Sequence, residues 1–201
     1  MIAGHGIVED GEKLIWTSGL QIDADGSPFA YNQDDTGLDY LANAKNTNGQ
    51  WVGVVTTSTG VPVIQRISDP APGYYVSQTA LQDSRYPVTD PRRYVNSDVV
   101  PYLSIPPELM QEYGVRMTDV AYVTNLANGS GCAVIVCERG PHRKIGEGSI
   151  ALARALGINP SPKNGGVDSG VQYTLWRNSG RGWPRDLADI AKQVDDLRLA
   201  A

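Results

Sequence analysis

Residues 119–138 read Asp119-Val-Ala-Tyr-Val-Thr-Asn-Leu-Ala-Asn-Gly-Ser-Gly-Cys-Ala-Val-Ile-Val-Cys-Glu138, and this stretch decides the fold class. Two apolar, β-branched segments flank the dipeptide Asn128-Gly129, which is typical of a tight hairpin turn. We therefore predict antiparallel strands at 119–124 and 132–138. Further strands are predicted at 51–56, 61–67, 74–77, 171–176 and, as an edge strand because Pro101 cannot donate to a central ladder, 99–103.

Helical patterns are fewer. Residues 147–156 carry apolar side chains at helical spacing, with Gly157 where a C-terminal cap belongs. Residues 184–199 place their apolar side chains on one face and predict a C-terminal amphipathic helix. Shorter helical turns are predicted at 39–44 and 106–108. The chain is therefore expected to be mainly β with added helices, built as a small barrel.

The length of 201 residues suits one domain. The polar, Gly-rich residues 1–15 predict a flexible segment, which leaves 16–201 as the single barrel domain. Cys132 and Cys137, the two cysteines, are five residues apart on one predicted strand, so their side chains point to opposite faces. We expect both to be free thiols.

Charge and hydropathy exclude several partners. The net charge of −5 argues against nucleic acid, since phosphate binding needs clustered Lys and Arg, and it suits a cationic partner. The apolar run 133–137 is far shorter than the ~20 residues that span a bilayer, so no membrane partner is expected. Residues 1–16 lack the basic start and apolar stretch of a signal peptide. Secretion after trimming, a cytoplasmic location and signal-independent export all stay open.

The candidate chemistry lies in Glu138-Arg-Gly-Pro-His-Arg-Lys-Ile-Gly-Glu147. One carboxyl group ends a predicted buried strand, and the second opens a predicted helix after a turn. Such a pair facing one cleft supplies the two carboxyl groups that glycoside hydrolysis needs. The spacing also fits an ordinary alternative, in which Glu147 favours a helix N-terminus and Glu138 pairs with Arg139 or Arg143.

This stretch resembles the signature of glycoside hydrolase family 75, the fungal-type chitosanases, and the resemblance extends over roughly residues 16–177. The most specific run is Lys144-Ile-Gly-Glu-Gly-Ser-Ile-Ala-Leu-Ala153. Blocks similar to that family and its bacterial relatives are Gly140-Pro141, Leu156-Gly-Ile158, Gln21-Ile-Asp-Ala-Asp-Gly26, Gly37-Leu-Asp-Tyr-Leu-Ala-Asn43, Pro70-Ala-Pro-Gly-Tyr-Tyr-Val-Ser77 and Arg93-Tyr-Val95.

The resemblance implies a six-stranded barrel of the double-psi type and an endo-acting, inverting hydrolase of the β-1,4 linkages of chitosan, a polyglucosamine. No cofactor is needed for this reaction. Glu147 falls on the family's catalytic Glu and is the expected general acid. Glu138 falls on the family's catalytic Asp and is the expected general base. The longer side chain at this position puts the activity, rather than the fold, in question.

Asp23, Asp25 and Asp39 lie in the shared blocks and are candidates for binding glucosamine ammonium groups. The purely structural alternative is an Asx turn at 23–26. The Asp-x-Asp-Gly pattern also occurs in calcium loops, but the later acidic ligands are missing, so no metal is expected. The aromatic candidates for stacking on sugar rings are Tyr31, Trp51, Tyr74 and Tyr75, although aromatic residues at strand ends are more often part of the core.

Three cations, Arg139, Arg143 and Lys144, follow the first acid. They would repel chitosan, or lower the pKa of Glu138, or indicate an acidic or N-acetylated polymer, and Lys144 is on this account a substrate-binding candidate. Two alternatives therefore stay open. One is a peptidoglycan-directed glycosidase or a lytic transglycosylase, which needs a single acid. The other is a non-catalytic carbohydrate-binding barrel that lost its base. A monomer is expected.

Overall fold

A computed structural model describes residues 6–200, which form seven strands and three α-helices. The strands are β1 (Val8–Asp10), β2 (Lys13–Asp23), β3 (Tyr102–Ile105), β4 (Val120–Asn125), β5 (Gly131–Arg139), β6 (Glu147–Ser149) and β7 (Val167–Trp176). The helices are α1 (Pro107–Tyr113), α2 (Ile150–Ala155) and α3 (Leu187–Leu199), with 3-10 turns at Leu41–Ala44 and Pro91–Arg93.

Six of the strands close into a barrel. The order is β1-β2-β6-β3-β5-β4-β7, and β7 pairs back with β2, which leaves β1 as an extra strand attached to β2. The pairs β2–β6 and β3–β5 are parallel, and the other pairs are antiparallel. The predicted mainly β barrel with a C-terminal helix is confirmed, whereas the double-psi type stays a prediction.

The hairpin β4–β5 shows why these residues form the barrel. Its two strands pair antiparallel as predicted, from Val120 opposite Ile135 to Thr124 opposite Gly131. Val134 and Val136 pack into the largest core cluster, while Ile135 and Cys137 alternate with them into a second cluster beneath α3. Because both faces are covered, the strand is apolar along most of its length. Cys132 packs against the first cluster and Cys137 into the second, both as free thiols, which confirms the prediction.

A long excursion between β2 and β3 covers one side of the barrel without forming regular strands. The predicted strands at 51–56, 61–67 and 74–77 are wrong in this respect, since these segments pair only through isolated bridges such as Thr56 with Pro62 and Ile64 with Tyr75. Pro lacks the N–H that a continuous ladder needs, so a segment containing Pro62 and followed by Pro70 pairs only locally. The excursion contributes buried apolar side chains that pack with Ile150 of α2.

Two predicted elements near the candidate acids are corrected. Strand β3 lies between β6 and β5 and is not an edge strand; Pro101 precedes it, so the missing N–H does not interrupt its ladder. Glu147 lies in β6 and not at the start of a helix. Helix α2 begins only at Ile150, because the Ser149 hydroxyl caps it by accepting from the N–H of Leu152.

The ends of the chain also differ from expectation. Residues 8–10 and 13–15, which fall within the predicted flexible segment 1–15, pair with each other as strands, and residues 1–5 lie outside the described part. Helix α1 continues beyond the single turn predicted at 106–108 as far as Tyr113.

None of the helices in residues 6–200 has the length and apolar character needed to cross a bilayer.

Candidate active site

The two candidate acids flank one serine on the sheet. Ser104 of β3 is directly opposite Glu147 of β6 on one side and directly opposite Glu138 of β5 on the other. Directly opposed side chains point to the same face, so all three share a face. Adjacent strands are about 4.8 Å apart, so the backbones of the two glutamates are separated by two strand spacings, about 9.5 Å.

A β-bulge turns Glu138 toward this face. Leu103 is opposite Val136, but the next residue, Ser104, is opposite Glu138, so Cys137 is the extra residue. With regular alternation Glu138 would point to the same side as Val136, into the largest core cluster. Bulges re-aim side chains in this way and are common beside active sites.

Asp23 lies next to the residues Glu138, Ser104 and Glu147, and Ser104 donates a hydrogen bond to it. It ends β2 on the face of Gln21, which is opposite Glu147. Only 8% of its surface is exposed. Its Oδ2 accepts a hydrogen bond from the Ser104 hydroxyl at 2.8 Å, and its Oδ1 accepts one from the N–H of Asp25, also at 2.8 Å. The second bond is the predicted Asx turn, so the turn and the link to the acids occur in the same residue.

Asp25 is the more accessible of the two aspartates. Its Oδ1 accepts a hydrogen bond from the Tyr31 hydroxyl at 2.8 Å, and its backbone carbonyl accepts one from the Tyr102 hydroxyl at 2.9 Å. Gly53 makes room for the carboxyl group, because a Cβ at that position would lie 2.8 Å from Oδ1. Asp25 is therefore held in place while staying partly exposed.

The carboxylates of Glu138 and Glu147 are held differently. Glu138 accepts hydrogen bonds from the N–H of Ala80 at 2.6 Å and from its neighbour's N–H, that of Arg139, at 2.7 Å. Within residues 6–200 the Glu147 carboxyl group accepts no hydrogen bond. Since hydrogen bonds to the charged form favour ionisation, Glu138 is the better supported as a carboxylate.

Burial shifts the protonation of both glutamates. It raises the pKa of Glu147 to about 8 and that of Glu138 to about 7, and the negative charge of Asp23 adds to both shifts. Burial also raises the pKa of Asp23, and it raises that of Asp25 strongly, with repulsion from Asp23 contributing there. At neutral pH the cluster therefore retains protons that isolated carboxyl groups would lose.

The basic loop after β5 does not reverse these shifts. The pKa of Glu138 is raised overall, contrary to the expectation that neighbouring cations lower it, because burial outweighs the charge of Arg139. Lys144 only partly opposes the shift at Glu147. The loop is tied to α1, where Glu108 lies 2.9 Å from His142 Nδ1, and the three cationic side chains are exposed.

Asp39 adds a fifth carboxyl group at the margin of the cluster. It is buried and accepts hydrogen bonds from the N–H of Tyr40 and from the Asn43 side chain. Burial raises its pKa, and Lys163 partly opposes this. Its charge acts on both Asp23 and Glu147, so the three aspartates singled out in the sequence do gather beside the two glutamates.

The aromatic candidates divide into two groups. Tyr31 and Tyr75 are 2% and 8% exposed, so both belong to the core, as the favoured interpretation had it, and neither offers a ring face to a sugar. Trp51 is half-buried, with its ring edge-on to Tyr75 at 6.0 Å and Lys45 Nζ 4.1 Å from its centre. Tyr74 is half-buried as well. Trp51 and Tyr74 are therefore the two of the four with more than marginal accessible surface.

Sequence reasoning missed the residues that join the acids. Ser104, a single serine in an apolar strand, carries no recognisable signal, and Ala80 contributes only its backbone N–H. Nothing in the sequence around Gly53 indicates that it makes room for the Asp25 carboxyl group. These contacts join positions far apart along the chain, so local patterns do not reveal them.

A cavity of about 420 Å³ lies elsewhere and contains none of the five carboxyl groups; it is lined by residues including Pro28, Tyr86, Tyr94, Val99 and Trp183. Among residues 6–200, no group of three or more His, Cys, Asp or Glu side chains is arranged to hold a metal ion.

No protein-family model matches the chain, and no curated protein is significantly similar to it.

Proposed function

We propose that the protein is an endo-acting, inverting glycoside hydrolase that cleaves the β-1,4 linkages of chitosan. The observation that carries this proposal is the placement of Glu138 and Glu147 on either side of Ser104. Their backbones lie two strand spacings apart, about 9.5 Å, and their side chains share a face, so a water molecule can fit between the carboxyl groups as in inverting enzymes, where these groups are ~6.5–9.5 Å apart.

The two glutamates then have distinct roles. Glu147, which accepts no hydrogen bond from residues 6–200, holds a proton near neutral pH and gives it to the leaving glycosidic oxygen as the bond to the anomeric carbon breaks. Glu138, fixed by the N–H groups of Ala80 and Arg139, removes a proton from the water that attacks that carbon from the opposite face. The reaction consumes one water and needs no other reactant.

The choice of chitosan rests on charge and on the family 75 resemblance. The chain has a net charge of −5, and five carboxyl groups gather at the site. A surface rich in carboxyl groups attracts a polycation when those groups are ionised. We assign Asp25, the partly exposed aspartate, to the substrate ammonium group, because a bound cation favours the charged form and offsets the strongly raised pKa of this carboxyl group. Asp23 and Asp39 are buried, so we assign them no direct contact with the substrate.

One observation favours a second candidate. Arg139, Arg143 and Lys144 are exposed on the loop that joins the two glutamates. Cations at the rim of the site suit a polymer with carboxylate groups, as in peptidoglycan, and a lytic transglycosylase would use Glu147 alone. A carbohydrate-binding protein without turnover is the third candidate, since Glu138 replaces the Asp of the family.

The test compares reducing-end release from soluble chitosan oligomers and from purified peptidoglycan. The variants are Glu147→Gln and, as a control, Glu112→Gln, which makes the same substitution on the exposed surface of α1. Turnover of chitosan that is lost in Glu147→Gln and kept in Glu112→Gln supports the proposal. Turnover of peptidoglycan alone favours the second candidate, and binding without turnover of either polymer favours the third.

A further inference from the structure

We propose that Asp23, held by Ser104, is a positioning residue whose fixed negative charge keeps the proton on Glu147. The protonation of Glu147 can be tested without a substrate; only the consequence for catalysis rests on the proposed function. Its basis is the arrangement of hydrogen-bond donors around three neighbouring carboxyl groups.

Asp23 is fixed on several sides. Its carboxylate oxygens accept from the Ser104 hydroxyl and from the N–H of Asp25, and its backbone carbonyl accepts from the Ser97 hydroxyl. Ser149, the cap of α2, is its direct neighbour across the sheet. With 8% of its surface exposed, Asp23 cannot reach a substrate, so it is not a catalytic residue itself.

The distribution of donors determines which carboxyl group stays protonated. Asp23 and Glu138 each accept two hydrogen bonds, which stabilise the charged form. Burial raises the pKa of Asp23 too, but both of its donors oppose that shift, whereas no hydrogen bond opposes the shift at Glu147. Glu147 accepts none within residues 6–200. When three like charges compete in a partly buried space, the group without donors is the one that retains its proton.

Cations do not cancel the charge of Asp23. Within the described part of the chain, no Lys or Arg side chain forms an ion pair or hydrogen bond with it. The other titratable groups that face Asp23 or Glu147 carry no positive charge except at the rim: they are Asp25, Asp39, Glu138, Tyr31, Tyr102, the Cys137 thiol and, toward Glu147, Lys144. The charge of Asp23 therefore acts on Glu147 largely unopposed.

The test is an NMR titration of side-chain carboxyl groups in protein labelled with ¹³C-glutamate. Asp23→Asn keeps the shape, because the amide oxygen can accept from Asp25 and the amide nitrogen can donate to Ser104. The Glu147 signal is assigned by its loss in Glu147→Gln. We expect the pKa of Glu147 to fall by about one pH unit in Asp23→Asn. Asp83→Asn, a control at another buried aspartate, should leave it unchanged.

Ser104→Ala is the second variant, in case Asp23→Asn does not fold. Loss of the hydroxyl donor makes Asp23 easier to protonate, so the pKa of Glu147 should fall by less than in Asp23→Asn. An unchanged titration of Glu147 in a folded variant of either kind overturns the inference. The titration needs no substrate, so a protein that shows the NMR shift but hydrolyses no polymer contradicts the proposed function and leaves this inference standing.

Discussion

Glu138 lies directly opposite Ser104 because the register between β3 and β5 shifts by one residue at that point. The shift points the side chain out of the barrel core, toward the excursion that covers the sheet. There its carboxylate meets the N–H of Ala80, 58 residues earlier in the chain. The length of Glu is therefore matched to a specific backbone partner, although the resembling family has Asp at this position.

Glu138→Asp should accordingly reduce activity rather than restore a better base. The side chain becomes one methylene shorter and cannot accept from both Ala80 and Arg139. We expect kcat to fall by about 10²-fold, as for displacements of about 1 Å at a reacting group. Kinetics on chitosan oligomers measure this, with Glu138→Gln as the variant of equal length without a base. A rate in Glu138→Asp equal to or above that of the unmodified protein would show that Glu is a poor substitute for the family Asp.

The pH dependence of kcat/KM should be bell-shaped, with limbs near the pKa values of about 7 for Glu138 and about 8 for Glu147. Activity rises as the base loses its proton and falls as the acid loses its own. The profile of kcat should lie at lower pH, because a bound ammonium group favours the charged form of both carboxyl groups. Initial rates across pH on chitosan oligomers check both statements. A kcat profile displaced to higher pH would exclude a cationic substrate beside the acids.

Much of this arrangement follows from local sequence, and some of it does not. The Asn128-Gly129 turn with its flanking apolar segments gives the central hairpin, and the acids stand out because they end and follow that hairpin. The sequence does not show that Glu147 lies in a strand, because a strand of three residues that continues into a helix has the same apolar pattern as the helix alone. Only pairing with β2 and β3 distinguishes the two, and pairing is a long-range property.

The bulge and the aromatic residues illustrate the same limit. No residue type in the apolar run Val134–Cys137 marks the position where one residue is inserted into the ladder. Tyr31 and Trp51 likewise have the same side-chain chemistry in a core as in a cleft, and only burial by the irregular excursion separates them. The family resemblance pointed to the two glutamates as candidates but not to the contacts that hold them, which come from Ser104 and Ala80.

Stability should decrease as the pH rises through the neutral range. The pKa values of Glu138 and Glu147, about 7 and about 8, lie above the ordinary value of 4.5, so the folded state binds more protons than the unfolded state between these limits. The free energy of unfolding therefore falls with rising pH in that window. Thermal unfolding at about pH 5.5 and about pH 8.5 should differ by several degrees, at about 2–4 °C per kcal/mol.

Glu147→Gln provides the control for this prediction. The variant has no proton to lose at this position, so its Tm should depend less on pH than that of the unmodified protein. An equal pH dependence in the two proteins would show that Glu147 does not carry a raised pKa in the folded state, whatever the protein acts on.

The separation of the two acids predicts the stereochemistry of the product. Retaining enzymes place their carboxyl groups only about 5–5.5 Å apart, because the second attacks the anomeric carbon directly. Here strand β3 lies between the strands that carry Glu138 and Glu147, and its Ser104 pairs with both residues. Cleavage of a β linkage should therefore release the α anomer first, and ¹H NMR of the anomeric protons in the first minutes of reaction distinguishes the two outcomes. Initial release of the β anomer would mean that the carboxyl groups approach each other closely enough for direct attack, or that Asp25, rather than Glu138, is the partner of Glu147.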